Sequence, residues 1–337
     1  MKLKKLHIKN FKSIVDLEII EPSPFTVFVG PNGAGKSNIF EALEFLSFQS
    51  SIGFYQSFLN LFGGVSSIHH RNNLGSIEFE INIDEEKFNL GVSYTVSKVL
   101  PEKPNAFYDP RNPVPYGNIV NRERIESFEK KFANIFSRVF IKNKDIEKIP
   151  IKGDIRLSSS CDNLEKVLHR LLQDKFKREE IAEWLSLFIP GFENLEVLSS
   201  ELGGTDTLLM YEKGTNKPFT KDLLSDGTFN ILALLTAVYQ SDEPQFLCIE
   251  EPENGLTPSV IKEMVILFRN ACEEKGHYIW LNTHSQSLVS QLTADELITV
   301  NKVNGETKIK QFKGKDFYGL PMDEAWLTNT LGGGLPW

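Results

Sequence analysis

The alternation of apolar and polar positions predicts strands at the start of the chain. Residues 6–8 and 15–19 place apolar side chains at every second position, which is the period of a half-buried strand. Residues 25–29 form a short apolar run that ends at Gly30 and fits a fully buried strand. Residues 38–48 then carry apolar side chains at helical spacing. Two further alternating segments, 76–83 and 90–99, predict a strand meander.

The middle of the chain is predicted to be a loop followed by helices. Five prolines between residues 101 and 120 predict a loop. A helix is predicted next, because Ile125, Phe128, Phe132, Ile135, Phe136 and Val139 fall on one helical face. A second helix places Ile181, Trp184, Leu185 and Phe188 on one face, and Pro190-Gly191 ends it.

The last part of the chain alternates strands and helices. From about residue 193 the pattern predicts strand, strand, helix, strand, helix, strand, with 246–249 and 278–281 as central strands. Such alternation indicates a largely parallel sheet with helices on its faces.

Composition narrows the class of protein. With 41% hydrophobic and 24% charged residues, the 337-residue chain has a globular composition. The net charge of −8 excludes a uniformly basic nucleic-acid coat protein. No apolar run approaches the roughly 20 residues that span a bilayer, and the start of the chain lacks a signal core, so we expect a cytoplasmic protein without a membrane segment. Three scattered cysteines argue against a disulfide scaffold or a zinc site.

The segment from Gly30 to Ser37, GPNGAGKS, fits the phosphate-loop pattern G-x-x-x-x-G-K-[ST] between a predicted strand and a predicted helix. Glycines let backbone N–H groups curl around a phosphate, and a helix start favours negative charge. We predict that Lys36 neutralises phosphate oxygens and that Ser37 is a ligand of Mg²⁺. The alternative is a simple glycine turn before a helix. The residues expected to contact ATP here are Asn32, Gly33, Ala34, Gly35, Lys36, Ser37 and Asn38.

Two adjacent carboxylates, Glu250 and Glu251, end the apolar strand at 246–249. A buried strand should not end in acids unless a cation lies there. We therefore assign Glu250 to Mg²⁺, through a water molecule, and Glu251 to the base that orients or deprotonates the attacking water. The alternative is a strand that runs into an acidic surface turn.

Two further segments are candidates for phosphate contact. The sequence LSDGT precedes an apolar helix, and its Ser225 is a good N-cap, so Ser225, Asp226, Gly227 and Thr228 form either a simple cap or a second phosphate-binding helix start. His284 follows the next apolar strand, at the strand end where α/β sheets bind ligands. It is either a structural histidine or a hydrogen-bond donor to the γ-phosphate.

Taken in order, IKNFKSI at 8–14, GPNGAGKS, LSDGT, IEEPENGL and THS resemble the SMC/RecF-like ABC ATPases. Among these, the chain resembles bacterial AAA-family ATP-binding proteins related to the OLD (overcoming lysogenisation defect) nucleases. The resemblance implies an α/β fold: a P-loop ABC-type ATPase head with an antiparallel β subdomain and an inserted helical arm. It also implies a homodimer that pairs head to tail on ATP, with the phosphate loop of one copy opposite Ser225, Gly227 and Thr228 of the other.

The same resemblance implies further roles. Lys12 and Ser13 match a segment near the nucleotide, Asn254-Gly255-Leu256 matches a dimer-contact loop, and His284 matches the switch histidine. The chain departs from many ABC proteins in having Glu250 where they have aspartate, and from transporters in having Asp226 where they have glycine. The glutamine of the Q-loop has no clear counterpart, because both candidates, Gln49 and Gln56, are close in sequence to the phosphate loop.

Charge is unevenly distributed. Residues 121–180 contain 15 basic and 11 acidic residues, and residues 1–12 contain five lysines and no acid. Sequence-independent DNA binding would find positive potential only there. The alternative is a solvated helix laced with salt bridges.

The pattern divides the chain into four segments. They are an N-terminal ATPase lobe (1–100), a helical insertion (101–195), a C-terminal ATPase lobe (196–312) and a tail (313–337). We expect no Toprim nuclease domain. The tail contains Trp326 and Trp337, which look exposed, and either folds back on the core or docks a partner.

The first functional hypothesis is an ATPase that dimerises on ATP and acts as sensor or motor of a prokaryotic DNA-maintenance or anti-phage defence complex, with an effector nuclease or toxin in trans. The alternatives are a RecF-like DNA-repair ATPase and a nucleotide-locked scaffold with little turnover. A transporter ATPase is disfavoured by the long insert and by LSDGT.

Overall fold

The computed structural model describes residues 2–52, 60–71, 75–85, 88–96, 130–141, 148, 151, 153–199 and 206–335. The chain divides into two compact units, Met1–Phe136 with Leu292–Trp337, and Ser137–Gln291. The four segments drawn from the sequence remain a prediction. The predicted loop at 101–120, Ile125, Phe128, Gln56 and Trp337 lie outside the described residues.

The first unit contains an antiparallel sheet built from β1 (Lys2–Phe11), β2 (Ile14–Ile20), β4 (Ile77–Glu85) and β5 (Phe88–Val96). The order of the strands in the sheet is β2-β1-β4-β5. Ile8 of β1 lies opposite Leu17 of β2 and Phe79 of β4, and all three side chains are buried. The period-two alternation therefore packs one face of this sheet into the core, and the predicted meander is confirmed.

The same unit carries the strand and helix around the phosphate loop. Strand β3 (Phe25–Val29) is buried at all five positions, and helix α1 runs over Lys36–Ile52. Strand β12 (Leu297–Val303) pairs in parallel with β3 and antiparallel with β13 (Glu306–Gln311). Further elements among the described residues of this unit include α2 (Val65–Ile68), a 3₁₀ turn (Ala294–Glu296) and α8 (Met322–Leu327).

The second unit is built around two parallel strands, β10 (Phe246–Glu250) and β11 (Tyr278–Thr283), with β6 (Phe136–Val139) beside β10. Both central strands are buried at every position, which confirms the prediction from their apolar runs. A small antiparallel sheet consists of β7 (Phe192–Ser199), β8 (Asp206–Glu212) and β9 (Phe219–Thr220). The helices are α3 (Leu164–Gln173), α4 (Lys175–Phe188), a 3₁₀ turn (Lys221–Leu223), α5 (Asp226–Tyr239), α6 (Pro258–Glu274) and α7 (Gln286–Val289).

Two sequence predictions are wrong. The helix expected up to Val139 ends at residue 135, and Phe136–Val139 is a strand, because pairing beside β10 overrides the helical spacing. Trp326 is also not exposed. Its side chain is 8% accessible, and its indole Nε1 donates a hydrogen bond of 2.8 Å to the carbonyl of Gly334. In the described part of the tail, the alternative of a segment folded back on the core is therefore the correct one.

Among the described residues, no helix combines the length and the apolar character that crossing a membrane requires.

His277, which precedes β11, is fully buried and is predicted to make stability depend on pH. Its Nδ1 accepts from the Gln245 N–H at 3.3 Å, and Nε2 lies 3.2 Å from the Val238 carbonyl. Burial, assisted by the charge of Lys275, lowers the pKa of His277 to about 4. The unfolded chain, with a histidine pKa near 6.5, therefore binds more protons between these values.

We expect this contribution to stability to be complete above about pH 6.5 and to decline as the pH falls towards 4, by a total of about 3 kcal/mol. Urea denaturation of the wild-type chain and of His277→Gln, repeated across this pH range, gives the slope of unfolding free energy against pH for each. The difference between the two slopes is the contribution of His277, separate from that of the carboxylates. If NMR spectra of the folded protein show the His277 imidazole titrating near pH 6.5, the prediction is contradicted.

Candidate functional site

The phosphate loop has the backbone conformation that the motif requires. Gly33 and Gly35 adopt positive φ angles of 76° and 101°, which residues with a Cβ rarely adopt. Gly30 lies against the backbone of Val300 in β12, and a Cβ there would overlap the Val300 carbonyl oxygen. Glycine is therefore needed at both ends of the loop for conformation and for close packing.

Lys36 opens α1 and is buried. Its Nζ donates to the carbonyl oxygens of Gly30 at 2.8 Å and Pro31 at 3.2 Å. The ammonium group is thus held within the loop by the loop's own backbone. The N–H groups at the start of α1 and the buried ammonium group of Lys36 together favour the binding of an anion.

The N-terminal residues assigned by resemblance also lie near this loop. Lys12 Nζ forms an ion pair with Glu41 of α1 at 2.5 Å. Ser13 Oγ accepts from the side-chain amide of Asn38 at 2.6 Å. In this conformation both residues contact the protein around the loop, and the part of the prediction that places them at the nucleotide remains a prediction.

The acidic strand end lies in the second unit. Glu250, the last residue of β10, is buried, and its Oε1 accepts from Arg138 of β6, with Nε at 2.7 Å and with Nη2 as a second donor. Its Oε2 accepts from the Asn282 amide of β11 at 3.0 Å. Both carboxylate oxygens therefore have a protein donor.

Oxygen ligands such as Ser37 and Glu250 are the type that Mg²⁺ prefers. Because Arg138 and Asn282 already hold the carboxylate of Glu250, its surroundings fit contact with a metal-bound water better than direct coordination. The assignment of Glu250 to a metal-bound water remains a prediction. Among the described residues, no group of three or more His, Cys, Asp or Glu side chains forms a ready metal site.

Glu251 has an unusual backbone and a more exposed side chain. Its φ is 48°, in the left-handed region, and its N–H donates to both the carbonyl and the side-chain oxygen of Asn282, at 3.0 and 3.1 Å. Asn254 donates to its Oε2 at 3.0 Å, and His284 Nε2 lies 3.8 Å from Oε1. Strain held in place by neighbours is typical of functional positions. The two acids therefore point to different surroundings, one buried and one accessible.

A third carboxylate, Glu253, joins this strand end to His284. Its Oε1 accepts from the Thr283 hydroxyl and from the His284 N–H, the latter at 3.3 Å. Burial raises the pKa of Glu253, although these hydrogen bonds oppose the rise. Glu253 thereby fixes the backbone from which the His284 side chain projects.

The LSDGT segment begins α5 as predicted. Ser225 is the N-cap, and its Oγ accepts from the Thr228 N–H at 3.1 Å. Gly227 packs so closely on Gly255 that a Cβ would overlap the Gly255 carbonyl oxygen. Ser225 and Asp226 are exposed. The segment thus lies beside the predicted dimer-contact loop and presents its first residues to solvent.

Three residues of these sites were not predicted: Arg138, Asn282 and Thr307. Arg138 is a charged residue in an apolar stretch, and Asn282 is a polar residue at the end of an apolar strand, so each left a weak signal in the sequence. Thr307, which contacts the phosphate loop, left none, because it is 273 positions from its partner Ala34.

Comparison with known proteins places the chain in a family. Residues 25–290 match the family model described as "AAA domain, putative AbiEii toxin, Type IV TA system". The chain belongs to this family. The matched range includes the phosphate loop, LSDGT, the acidic strand end and His284.

Relatives extend this result. The chain is 20% identical to an ATP/GTP phosphatase of Helicobacter pylori over 95% of its own length and 94% of that protein. It is 41% identical to the chromosome partition protein Smc of Methanocaldococcus jannaschii over 68 residues, which are 20% of this chain and only 6% of that protein. It also matches 14% of a RecF protein of Lactococcus lactis at 41% identity.

Solved structures show the fold. The SMC head bound to the C-terminal winged-helix domain of ScpA aligns with a TM-score of 0.62 at 16% identity, covering 94% of this chain and 98% of that one. The SMC head of Thermotoga maritima aligns with a TM-score of 0.54 at 18% identity, covering 92% and 99%. These structures confirm the α/β fold of a P-loop ATPase, and together with the family match they support the resemblance to the SMC/RecF-like ATPases. The link to OLD nucleases remains a prediction.

The buried ion pair leads to a stability prediction. The side chains of Arg138 and Glu250 are 5% and 3% accessible. Replacing Arg138 with methionine would leave a buried carboxylate without its guanidinium, and we expect a loss of about 3–5 kcal/mol in the free energy of unfolding. Urea denaturation would measure it.

Lys177→Met is the matched control, because its partner Asp242 is 78% accessible and the pair should contribute less than about 1 kcal/mol. Adding Glu250→Gln to Arg138→Met should recover part of the loss. Equal effects of the Arg138 and Lys177 variants would contradict the role assigned to the buried pair.

Proposed function

We propose that this protein binds and hydrolyses ATP with Mg²⁺. The observation that carries the proposal is the phosphate loop, in which two left-handed glycines, a buried lysine and a helix start form an anion-binding site. Its family and fold support the same activity. The loop is expected to hold the phosphates, and Lys36 to neutralise the β- and γ-oxygens.

The acidic strand end supplies the other half of the chemistry. Glu250 is assigned to Mg²⁺ through a water and Glu251 to the attacking water. Mg²⁺ would neutralise charge on the phosphates when bound. Asn282 connects the two acidic residues, since its side chain donates to the Glu250 carboxylate and accepts from the Glu251 backbone N–H. His284, held through Glu253, is assigned to the γ-phosphate.

Dimerisation on ATP is part of the proposal. The exposed start of α5, with Ser225, Asp226, Gly227 and Thr228, is suited to meet the nucleotide of a second copy. The Asn254 carbonyl accepts from Asn230 of α5, so the predicted dimer-contact loop and α5 are connected within one chain. The two segments can therefore form one contact surface for the second copy.

The biological role is proposed at a coarser level. The family description, which names a toxin and a Type IV TA system, supports a defence complex in which this ATPase is the sensor or motor and an effector nuclease or toxin acts in trans. The short matches to Smc and RecF support the DNA-maintenance alternative.

DNA contact is the part of the proposal that the described contacts favour least. Lys4, Lys5 and Lys9 of β1 form ion pairs with nearby carboxylates of the same chain, including Glu21, Glu18 and Glu78. In the basic stretch, Arg138 and Lys177 are paired as well. Because these basic side chains are already paired, and Arg138 is buried, the contacts favour the salt-bridge alternative over a DNA-binding patch.

The deciding experiment measures ATP binding by calorimetry and phosphate release in the presence and absence of Mg²⁺. Binding with Mg²⁺-dependent release supports the ATPase. Tight binding with negligible release would favour the nucleotide-locked scaffold. No binding would overturn the proposal.

A further inference from the structure

Thr307, the second residue of β13, is completely buried against the back of the phosphate loop. Its hydroxyl donates to the carbonyl oxygen of Ala34 at 2.8 Å, and its N–H donates to the Ser13 carbonyl at 2.8 Å. The hydroxyls of Thr307 and Ser13 are 2.6 Å apart. A residue late in the chain thus contacts both the loop and the N-terminal segment.

The hydrogen bonds in this cluster form a chain in which the donor of each bond can be assigned. The Asn38 amide donates to Ser13 Oγ, and the Thr307 hydroxyl uses its only proton on Ala34. The hydrogen bond between the two hydroxyls must therefore run from Ser13 to Thr307. We name this series, Asn38 to Ser13 to Thr307 to Ala34, the hydroxyl relay.

The relay fits tightly. A Cβ at Gly35 would overlap Thr307 Oγ1 and would lie 2.7 Å from Ser13 Oγ. The loop therefore has no space on this side for a side chain at residue 35. Packing and hydrogen bonding constrain the same peptide unit.

The peptide unit between Ala34 and Gly35 is where the relay acts. A trans peptide is planar, so its N–H points opposite to its C=O. When Thr307 binds the Ala34 carbonyl, the Gly35 N–H is turned away from Thr307. That N–H belongs to the set that a phosphate loop uses to surround a phosphate.

We propose that Thr307 is a positioning residue for nucleotide binding, which acts through Ala34 to aim the Gly35 N–H at a bound phosphate. This inference rests on the proposed ATP binding at Gly30–Ser37. It assigns Ser13 a role behind the loop, as the donor to Thr307. It also makes the β12–β13 hairpin part of the nucleotide-binding machinery.

The test compares Thr307→Val, which keeps the shape and removes the hydroxyl, with Thr307→Ser, which keeps the hydroxyl and removes a methyl group. Calorimetry with ATP is expected to show about tenfold weaker binding for the valine variant, the equivalent of one hydrogen bond. The serine variant should bind within about threefold of the wild-type chain. Unfolding of the unliganded variants, measured in parallel, shows whether the two differ in stability.

Ser13→Ala interrupts the same relay and guards against misfolding of the valine variant. It should also weaken ATP binding, and Ser13→Ala with Thr307→Val should be less than additive. Equal ATP affinity of the valine and serine variants, or full additivity, would overturn the inference. If the wild-type chain binds ATP and Lys36→Ala does not, while Thr307→Val binds normally, the inference fails and the proposed function stands.

Discussion

Replacing Lys36 with alanine is expected to lower ATP turnover by about a hundredfold or more and ATP affinity by about tenfold or more. Lys36 is the buried cation of the phosphate loop, and loss of one preorganised charge or donor in a phosphoryl-transfer site has effects of this size. Its Nζ is held by the Gly30 and Pro31 carbonyls. The loop's own backbone thus positions the cation inside the loop. Phosphate release and calorimetry with ATP measure the two effects.

Lys217→Ala is the matched control, because Lys217 is an exposed lysine in the turn between β8 and β9. It removes the same charge and should leave turnover within about twofold of the wild-type value. Turnover by Lys36→Ala within threefold of the wild-type chain would contradict the phosphate-loop assignment. A thermal unfolding curve for each variant separates loss of binding from loss of folding.

Replacing Glu251 with glutamine is expected to reduce turnover by about a hundredfold to ten-thousandfold, the usual contribution of a general base. The amide keeps the shape and can still accept the hydrogen bond from Asn254, so ATP binding should change little. Because hydrolysis would then be the blocked step, ATP-bound dimers should accumulate. Light scattering of the Glu251→Gln variant with ATP measures its molar mass and so detects the dimer. Phosphate release measures turnover.

Glu253→Gln provides the control at the same strand end. Burial raises the pKa of Glu253, and its Oε1 acts as an acceptor, a role that an amide oxygen can take over. Its turnover is expected to stay within about threefold of the wild-type value. If Glu251→Gln hydrolyses ATP as fast as Glu253→Gln, Glu251 is not the base.

The local parts of the site could be predicted because their signals are local. Strand β3, the loop and α1 follow one another in sequence, and the loop's conformation requires glycines that are visible in the sequence. Likewise, the N-cap at Ser225 depends on a partner three residues away, at Thr228. Such short-range hydrogen bonds are fixed by residue type and spacing.

The predictions that failed depended on distant partners. Residues 136–139 have helical spacing, yet they form a strand next to β10 and bring Arg138 to Glu250 across 112 positions. Trp326 looks exposed in a short polar tail, yet its indole is buried against Gly334. In each case the competing interaction is made by a part of the chain that a local window does not contain.

The sequence by itself determined the α/β class, the phosphate loop, the pair of acids and the start of α5, since periodicity, glycines and charge at strand ends act over a few residues. Only the tertiary structure decided what holds those groups. Arg138 and Asn282 hold the Glu250 carboxylate, and Thr307 and Ser13 lie behind the Ala34 carbonyl. Buried polar groups are almost always hydrogen-bonded. Which residue satisfies each of them depends on how strands that are far apart in the chain pack together.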